Sequence, residues 1–297
     1  MKIQFENVDF NSRSGPNGFG LKLARQLARD GHELTNETPD VRLAFIQSDN
    51  SFDSTILRLD GIYFNSAQDW ERMNEPIKKS YDHARAVIVQ SEFDKQLVFR
   101  FFGERENVHV IRNGTDVETI ERLPPYLDSD VFLREKVWMC ASSWRPHKRL
   151  AENIRLFQKY AERDSHLVVA GANAQSYAKG LDLTGVHFVG DLTWEIMIAW
   201  MKSAAHFVHL AWLDHCPNVV VDAKACGCRL HVSDSGGTPE LVGEEDFVYD
   251  DEKFDFSVVA LYEPPSMTLR RSSPALGTRD FSISTVTKNY IDVMERL

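Results

Sequence analysis

The stretch DHCPNVVVDAKACG carries two carboxylates, Asp214 and Asp222, with seven residues between them. Pro217-Asn218 reads as a helix start, Ala223 and Ala225 favour helix, and Gly227 stands where a helix-closing residue belongs. Asp214 then falls in a loop and Asp222 about one turn inside a helix whose first amides, around Asn218 and Val219, lack intrahelical partners. Amides of that kind suit phosphate oxygens. A carboxylate beside a diphosphate repels it unless it faces uncharged donors, and sugar hydroxyls are such donors. A nucleotide sugar offers them at both ends of its diphosphate.

Two further stretches fit the same chemistry. In SSWRPHKRL, Arg145 and Lys148 combine a forked donor with a point charge, a pairing suited to a diphosphate. In NSRSGPNGFGLKLARQL, Gly15, Gly18 and Gly20 form a loop leading directly into a helix. Their order is not the dinucleotide fingerprint, and Leu21-Lys22 stands where a phosphate-binding P-loop needs Lys and then Ser or Thr. What remains is a glycine-rich approach to a helix N-terminus. Taken singly, the three features equally suit a capped turn, a solvated charge pair and a plain turn; their combination carries the reading.

The elements that must position these residues are those of an α/β protein. Buried apolar runs alternate with helix-period segments, which predicts mostly parallel sheets with the loops after each strand as ligand sites. In the N-terminal half, strands are expected over Lys2 to Val8, Ala84 to Gln90 and Asn107 to Ile111. One helix should place Leu23, Ala24, Leu27 and Ala28 on a common face before Gly31, and another should be capped by Ser91 and stopped by Gly103. Beyond VETIERLPPYLDSD, which has no clear period, strands are expected at Lys136 to Ser142, His166 to Gly171, Val186 to Gly190, His206 to Ala211 and Arg229 to Ser233. The expected division is therefore an N-terminal Rossmann-like domain over 1–130 and a C-terminal one over 131–297. The terminal helix, from residue 284, presents an apolar side at Val286, Tyr290, Val293 and Leu297 that needs a docking place, the N-terminal domain being one.

Acidic residues outnumber basic ones 44 to 34, and the net charge of −10 argues against nucleic acid as a partner. Neither a signal peptide nor a membrane-spanning run is visible, so a cytoplasmic protein is expected, with peripheral membrane contact left open. Cys140, Cys216, Cys226 and Cys228 form no paired Cys-x-x-Cys set and read as buried fillers, and no metal site is expected.

SSWRPHKRL, VHFVGDL, DHCPNVVVDAKACGC and SDSGGTPELV occur in an order and at intervals that resemble the retaining glycosyltransferases of family 4, which have the GT-B fold. SGPNGFGLKLARQLARDGHEL, AVIVQSEFDKQLV and VIRNGTD look like that family's N-terminal domain. The resemblance implies two facing Rossmann-like domains, a nucleotide diphosphate sugar as donor and a hydroxyl acceptor, with no further cofactor. By carry-over, Asp214 would hold hydroxyls of the transferred sugar and Asp222 those of the ribose, while Arg145 and Lys148 would neutralise the diphosphate. The loop at Asn218 and Val219 would meet the diphosphate, Gly18 would approach it from across the cleft, and Asp191 and Leu192 would lie beside the nucleobase. Two departures stand out. The family's acidic pair is usually glutamate, and its N-terminal histidine motif is missing; the nearest analogue by position is LRLDGIYFN, where Asp60 is the candidate contact to sugar or acceptor. Those departures keep two alternatives in play: a catalytically degenerate nucleotide-sugar or glycan binder, and a GT-B sugar-nucleotide epimerase.

Overall fold

Val41–Phe45, Thr55–Leu59 and Ala86–Val89 are buried along their whole length, without the alternation of a one-faced sheet. Strands of this kind belong at the centre of a parallel sheet covered on both sides. The computed structural model describes residues 1–12, 14–127, 133–272 and 280–297, and places those three strands in the middle of a six-stranded parallel sheet. In chain order its elements are β1 (Lys2–Glu6), α1 (Gly15–Arg29), β2 (Glu33–Leu34), β3 (Val41–Phe45), β4 (Thr55–Leu59), α2 (Trp70–His83), β5 (Ala86–Val89), α3 (Glu92–Phe102) and β6 (Val108–Val110). The strand order is β2-β1-β3-β4-β5-β6.

A short helix, α4 (Val117–Arg122), follows where the sequence shows no period; Asp116 caps it by accepting from the Thr119 amide. The expected division at 130/131 lies outside the described residues. The second half comprises β7 (Val137–Ala141), α5 (Leu150–Tyr160), β8 (His166–Ala170), α6 (Ala174–Tyr177), β9 (Val186–Gly190), α7 (Trp194–Ser203), β10 (His206–His209), α8 (Asn218–Ala225), β11 (Arg229–Ser233), β12 (Phe247–Tyr249), β13 (Arg271–Ser272) and α9 (Ile283–Met294). Its sheet has seven strands in the order β13-β12-β11-β10-β7-β8-β9, two more than the five expected, with β13 antiparallel to β12. Both added strands are short, and β13 holds no apolar residue, which is why neither stands out in sequence.

Local chemistry sets the helix ends. The Ser91 hydroxyl accepts from the Asp94 amide to start α3, and α8 ends with Gly227 at φ +74°, the left-handed conformation that glycine adopts without strain. Helix α1 begins at Gly15 itself, with Pro16 in its first turn, so the three glycines lie inside the helix and not in a loop before it. Leu23, Ala24 and Leu27 are buried as expected, but Ala28 is exposed on the far side of α1.

Helix α9 belongs to the first sheet's packing although it is last in sequence. Ile283, Val286, Tyr290, Val293 and Met294 share a core with Ile3, Phe19, Leu23, Leu27 and Ile88, while Leu297 stays outside. The segment after β12 also crosses over: the Val259 amide donates to the Phe64 carbonyl and its carbonyl accepts from the Ser66 amide. Phe254 and Phe256 pack against the same part of the first half. Among the described residues no helix is long and apolar enough to cross a membrane.

Candidate active site

The carboxyl ends of both sheets meet, as the parallel topology predicts for a binding site. From the first half come the N-terminus of α1, the turn after β4, the N-terminus of α3 and the loop after β6. From the second come the turn after β7, the loop between β10 and α8, and the loop after β11.

Two helix N-termini converge there. Neither Ser14 before α1 nor Pro217 before α8 gives a side-chain cap, so the first-turn amides keep their charge character. The Asn218 Nδ2 donates to the Gly15 carbonyl at 2.9 Å, which fixes one helix start against the other. The Asn218 Oδ1 is sealed from solvent and without a partner. Gly18 lies on the open side of α1, where an added Cβ would meet nothing within 4 Å; Gly20 instead faces Val8 and Phe45.

The turn after β7 brings in the cations. Arg145 is exposed at the start of a 3-10 turn, Pro146–Lys148, and the Lys148 ammonium lies 2.6 Å from Asp214 Oδ2. The same oxygen accepts from His209 Nε2 at 2.9 Å, and Oδ1 accepts from the His215 amide at 3.2 Å. Burial alone would favour the protonated acid, yet Lys148 and His209 outweigh it and hold the Asp214 carboxyl well below 3.8. Between the two cations, His147 is pushed down to about 3 by burial and then by Lys148, so its ring is neutral and stacks on Tyr262 at 5.3 Å. Asp214 therefore contributes stability that is complete above the ordinary carboxylate range and is lost only as pH falls through its lowered value. A carbon-detected NMR titration is expected to show the Asp214 carboxyl protonating only well below 3.8; protonation with an ordinary midpoint contradicts the ion pair.

Asp214 is also shaped from behind by SDSGGTPELV. Gly236 has φ +66°, and a Cβ there would stand 2.3 Å from the Asp214 carbonyl oxygen. At Gly237 a Cβ would stand 1.9 Å from the His215 carbonyl oxygen, while the Gly237 amide donates to Asp214. Two backbones touch here, which only glycine allows.

Asp222 lies inside α8 as the sequence implies, but it is 1% exposed and its carboxylate is fully engaged. Oδ1 accepts from Lys22 Nζ at 2.8 Å and from the Thr115 hydroxyl; Oδ2 accepts from Trp194 Nε1 at 3.0 Å. Lys22 and Thr115 belong to the first half, so this carboxylate ties the two halves together. Asp191 is exposed just after β9, and Leu192 packs on the second core next to Trp194.

Asp60 also has internal partners. It pairs with Arg58 and accepts from Gln90, while burial pushes its carboxyl up against the pull of Arg58. Arg58, fully buried, further donates to Tyr290 at 3.0 Å and to Asn113 Oδ1 at 2.7 Å, with its guanidinium 4.3 Å from the Phe19 ring centroid. Asn113 carries the network into the second half by donating to the Cys216 carbonyl at 2.9 Å. All four cysteines are free thiols, three of them buried, and burial raises Cys216 and Cys228 to about 12.

The structure thus joins Lys148 to Asp214, and Asn218, next to Val219, to Gly15; it leaves Arg145 exposed in the turn of Lys148 and Gly18 on the open side of α1, and engages Asp222 and Asp60 with internal partners. Sequence reasoning missed Lys22, Thr115, Asn113, His209 and His215. Glu240 was missed as well: it caps α3 by accepting from the Glu92 and Phe93 amides and pairs with Arg112. Only His209 and His215 sit close enough to a candidate to have been suspected; the others act at long sequence separation.

Two α/β sheets joined in this way, with their strand ends facing, have the GT-B architecture of glycosyltransferases. Residues 135–263 match the family model described as glycosyl transferases group 1. No curated protein matches the chain in sequence. Among solved structures, HepE from Anabaena in complex with UDP-glucose is similar at TM-score 0.70 and 17% identity over 100% of both chains. Sucrose-phosphate synthase from Thermosynechococcus elongatus is similar at TM-score 0.72 and 13% identity, over 99% of this chain and 98% of that one. A glycosyltransferase from Rickettsia africae is similar at TM-score 0.63 and 11% identity, over 99% and 98%.

Proposed function

We propose that the protein is a retaining glycosyltransferase of the family 4 type, moving a hexosyl group from a nucleotide diphosphate sugar to an acceptor hydroxyl in the cytoplasm. The observation that carries this is the convergence of two uncapped helix N-termini, at Gly15 and Asn218, beside the turn that holds Arg145 and Lys148. Dipole ends and fixed cations directed at one place match the charge that grows on a departing diphosphate. Arg145, Lys148 and the amides around Asn218 and Val219 take that charge, so the proposed step needs no metal. Asp214, kept ionised by Lys148, accepts from hydroxyls of the transferred sugar. The leaving phosphate takes the acceptor's proton on the face it departs from, which retains the anomeric configuration. Uridine is the first base to test, because HepE was solved with UDP-glucose and with UDP.

A second reading, binding without turnover, is favoured by Asp222: a ribose reaches its oxygens only when Lys22 and Trp194 give way. A melting-temperature panel of UDP, GDP, ADP and their glucose conjugates, followed by product analysis with glycan and small-molecule acceptors, separates the readings. One nucleotide series is expected to raise Tm and to yield glycoside. Stabilisation without glycoside or donor hydrolysis supports the binder, and no stabilisation by any of them removes the donor reading.

A further inference from the structure

His215 follows Asp214 directly, yet its ring reaches across to the first half of the chain. Its Nδ1 lies 2.6 Å from Asp94 Oδ1, and Asp94 is fully buried at the N-terminus of α3. The ring sits edge-on to Phe64 and tilted against Phe93, with centroids 6.3 and 5.7 Å away. Its other edge lies against Gly61, where an added Cβ would stand 2.5 Å from both Cε1 and Nε2. Gly61 has φ +104° and follows Asp60, so the turn after β4 is built without a side chain at the point the imidazole fills. Nε2 has no partner among the described residues, and it is not one of the sealed polar atoms.

The geometry points to His215 as a donor-sugar contact: with Nδ1 anchored by Asp94, Nε2 hydrogen-bonds a hydroxyl of the sugar held beside Asp214, donating to it as the imidazolium and accepting from it more weakly as the neutral ring. This rests on the donor reading above and adds a group that the sequence motifs do not mark. Asp94 fixes the ring orientation and keeps the proton on Nδ1, the arrangement in which Nε2 faces the ligand. The charged groups facing the ring are Asp94 from α3 and Asp214 and Lys148 from the second half, while Asp60, beside Gly61, is turned to Arg58 and Gln90. Burial opposes the imidazolium, but Asp94 and then Asp214 outweigh it, so His215 titrates above 6.5. Below that value Nε2–H is a cationic donor; above it the ring keeps one proton, on the Asp94 side, and Nε2 becomes an acceptor.

The test compares UDP with UDP-glucose by isothermal titration calorimetry, since only the second carries the sugar. In the wild-type protein the preference for UDP-glucose over UDP is expected to fall as pH rises through a value above 6.5, and in Asp94→Asn to fall at lower pH. In the double variant His215→Phe with Asp94→Leu, which replaces a buried pair by an apolar one, UDP affinity is expected to hold. UDP-glucose affinity should drop about tenfold, the worth of one hydrogen bond to a charged donor. A role confined to packing would change both ligands equally and leave the pH profile flat. An unchanged preference, or a pH-independent one in the wild type, overturns the assignment while leaving the donor reading intact. Failure of the wild type to bind either ligand overturns both.

Discussion

Replacement of Arg145 and Lys148 together by alanine is expected to remove sugar transfer while the protein stays folded. Neither side chain belongs to an apolar core: Arg145 is exposed, and Lys148, although mostly buried, pairs its ammonium with Asp214 alone among the described residues. Removing Lys148 leaves Asp214 with His209 as its remaining side-chain partner, at 2.9 Å. The fold gives up the stability that Lys148 lends to this carboxylate but keeps every core contact. The transition state loses more, because the charge leaving with the diphosphate is met by these two cations and by the helix amides. Loss of one preorganised donor of this kind costs about a hundredfold or more in rate, so the double variant should fall by roughly the square of that if the two act independently. Turnover near the wild-type rate, with unchanged circular dichroism, excludes both residues from the reaction.

Asp222 gives the opposite pattern, an effect on stability first. Asp222→Ala would leave the Lys22 ammonium, 14% exposed, without its counter-ion, and would strip the Thr115 hydroxyl and Trp194 Nε1 of their acceptor. Breaking a buried ion pair from one side costs about 3–5 kcal/mol, most of it the burden of the stranded charge. The paired variant Lys22→Met with Asp222→Leu is expected to recover most of that loss. Urea unfolding of the single and double variants provides the measurement. A single variant as stable as the wild type means that the two halves are not held by this carboxylate. If donor then binds the double variant as tightly as the wild type, the ribose role of Asp222 also falls.

These two sites show what the sequence discloses and what it conceals. The start and end of α8, the Ser91 cap and the placement of Asp214 in a loop follow from nearest-neighbour chemistry: Pro217, Gly227 and a hydroxyl ahead of α3 act on residues a turn away. The Lys22–Asp222 and Asp94–His215 contacts join residues 200 and 121 positions apart, and no period or cap encodes such a meeting. Asp60 was singled out for its position near the expected cleft, yet the burial of Arg58 inside β4 had to be known to see why a carboxylate is there. Gly18 was chosen among three glycines by motif; the structure shows that Gly15 and Gly20 are the ones with close neighbours.

The placement of α9 bears on how the protein is made. Tyr290, which steadies Arg58, and Val286, which packs beneath the first sheet, are translated after the whole second sheet although they complete a core that contains Ile3. A nascent chain emerging from the ribosome carries an unfinished first core until α9 has been made. Chaperone demand should therefore persist until α9 emerges, and a few residues trimmed from the carboxyl end of α9 would harm the half of the molecule made earlier.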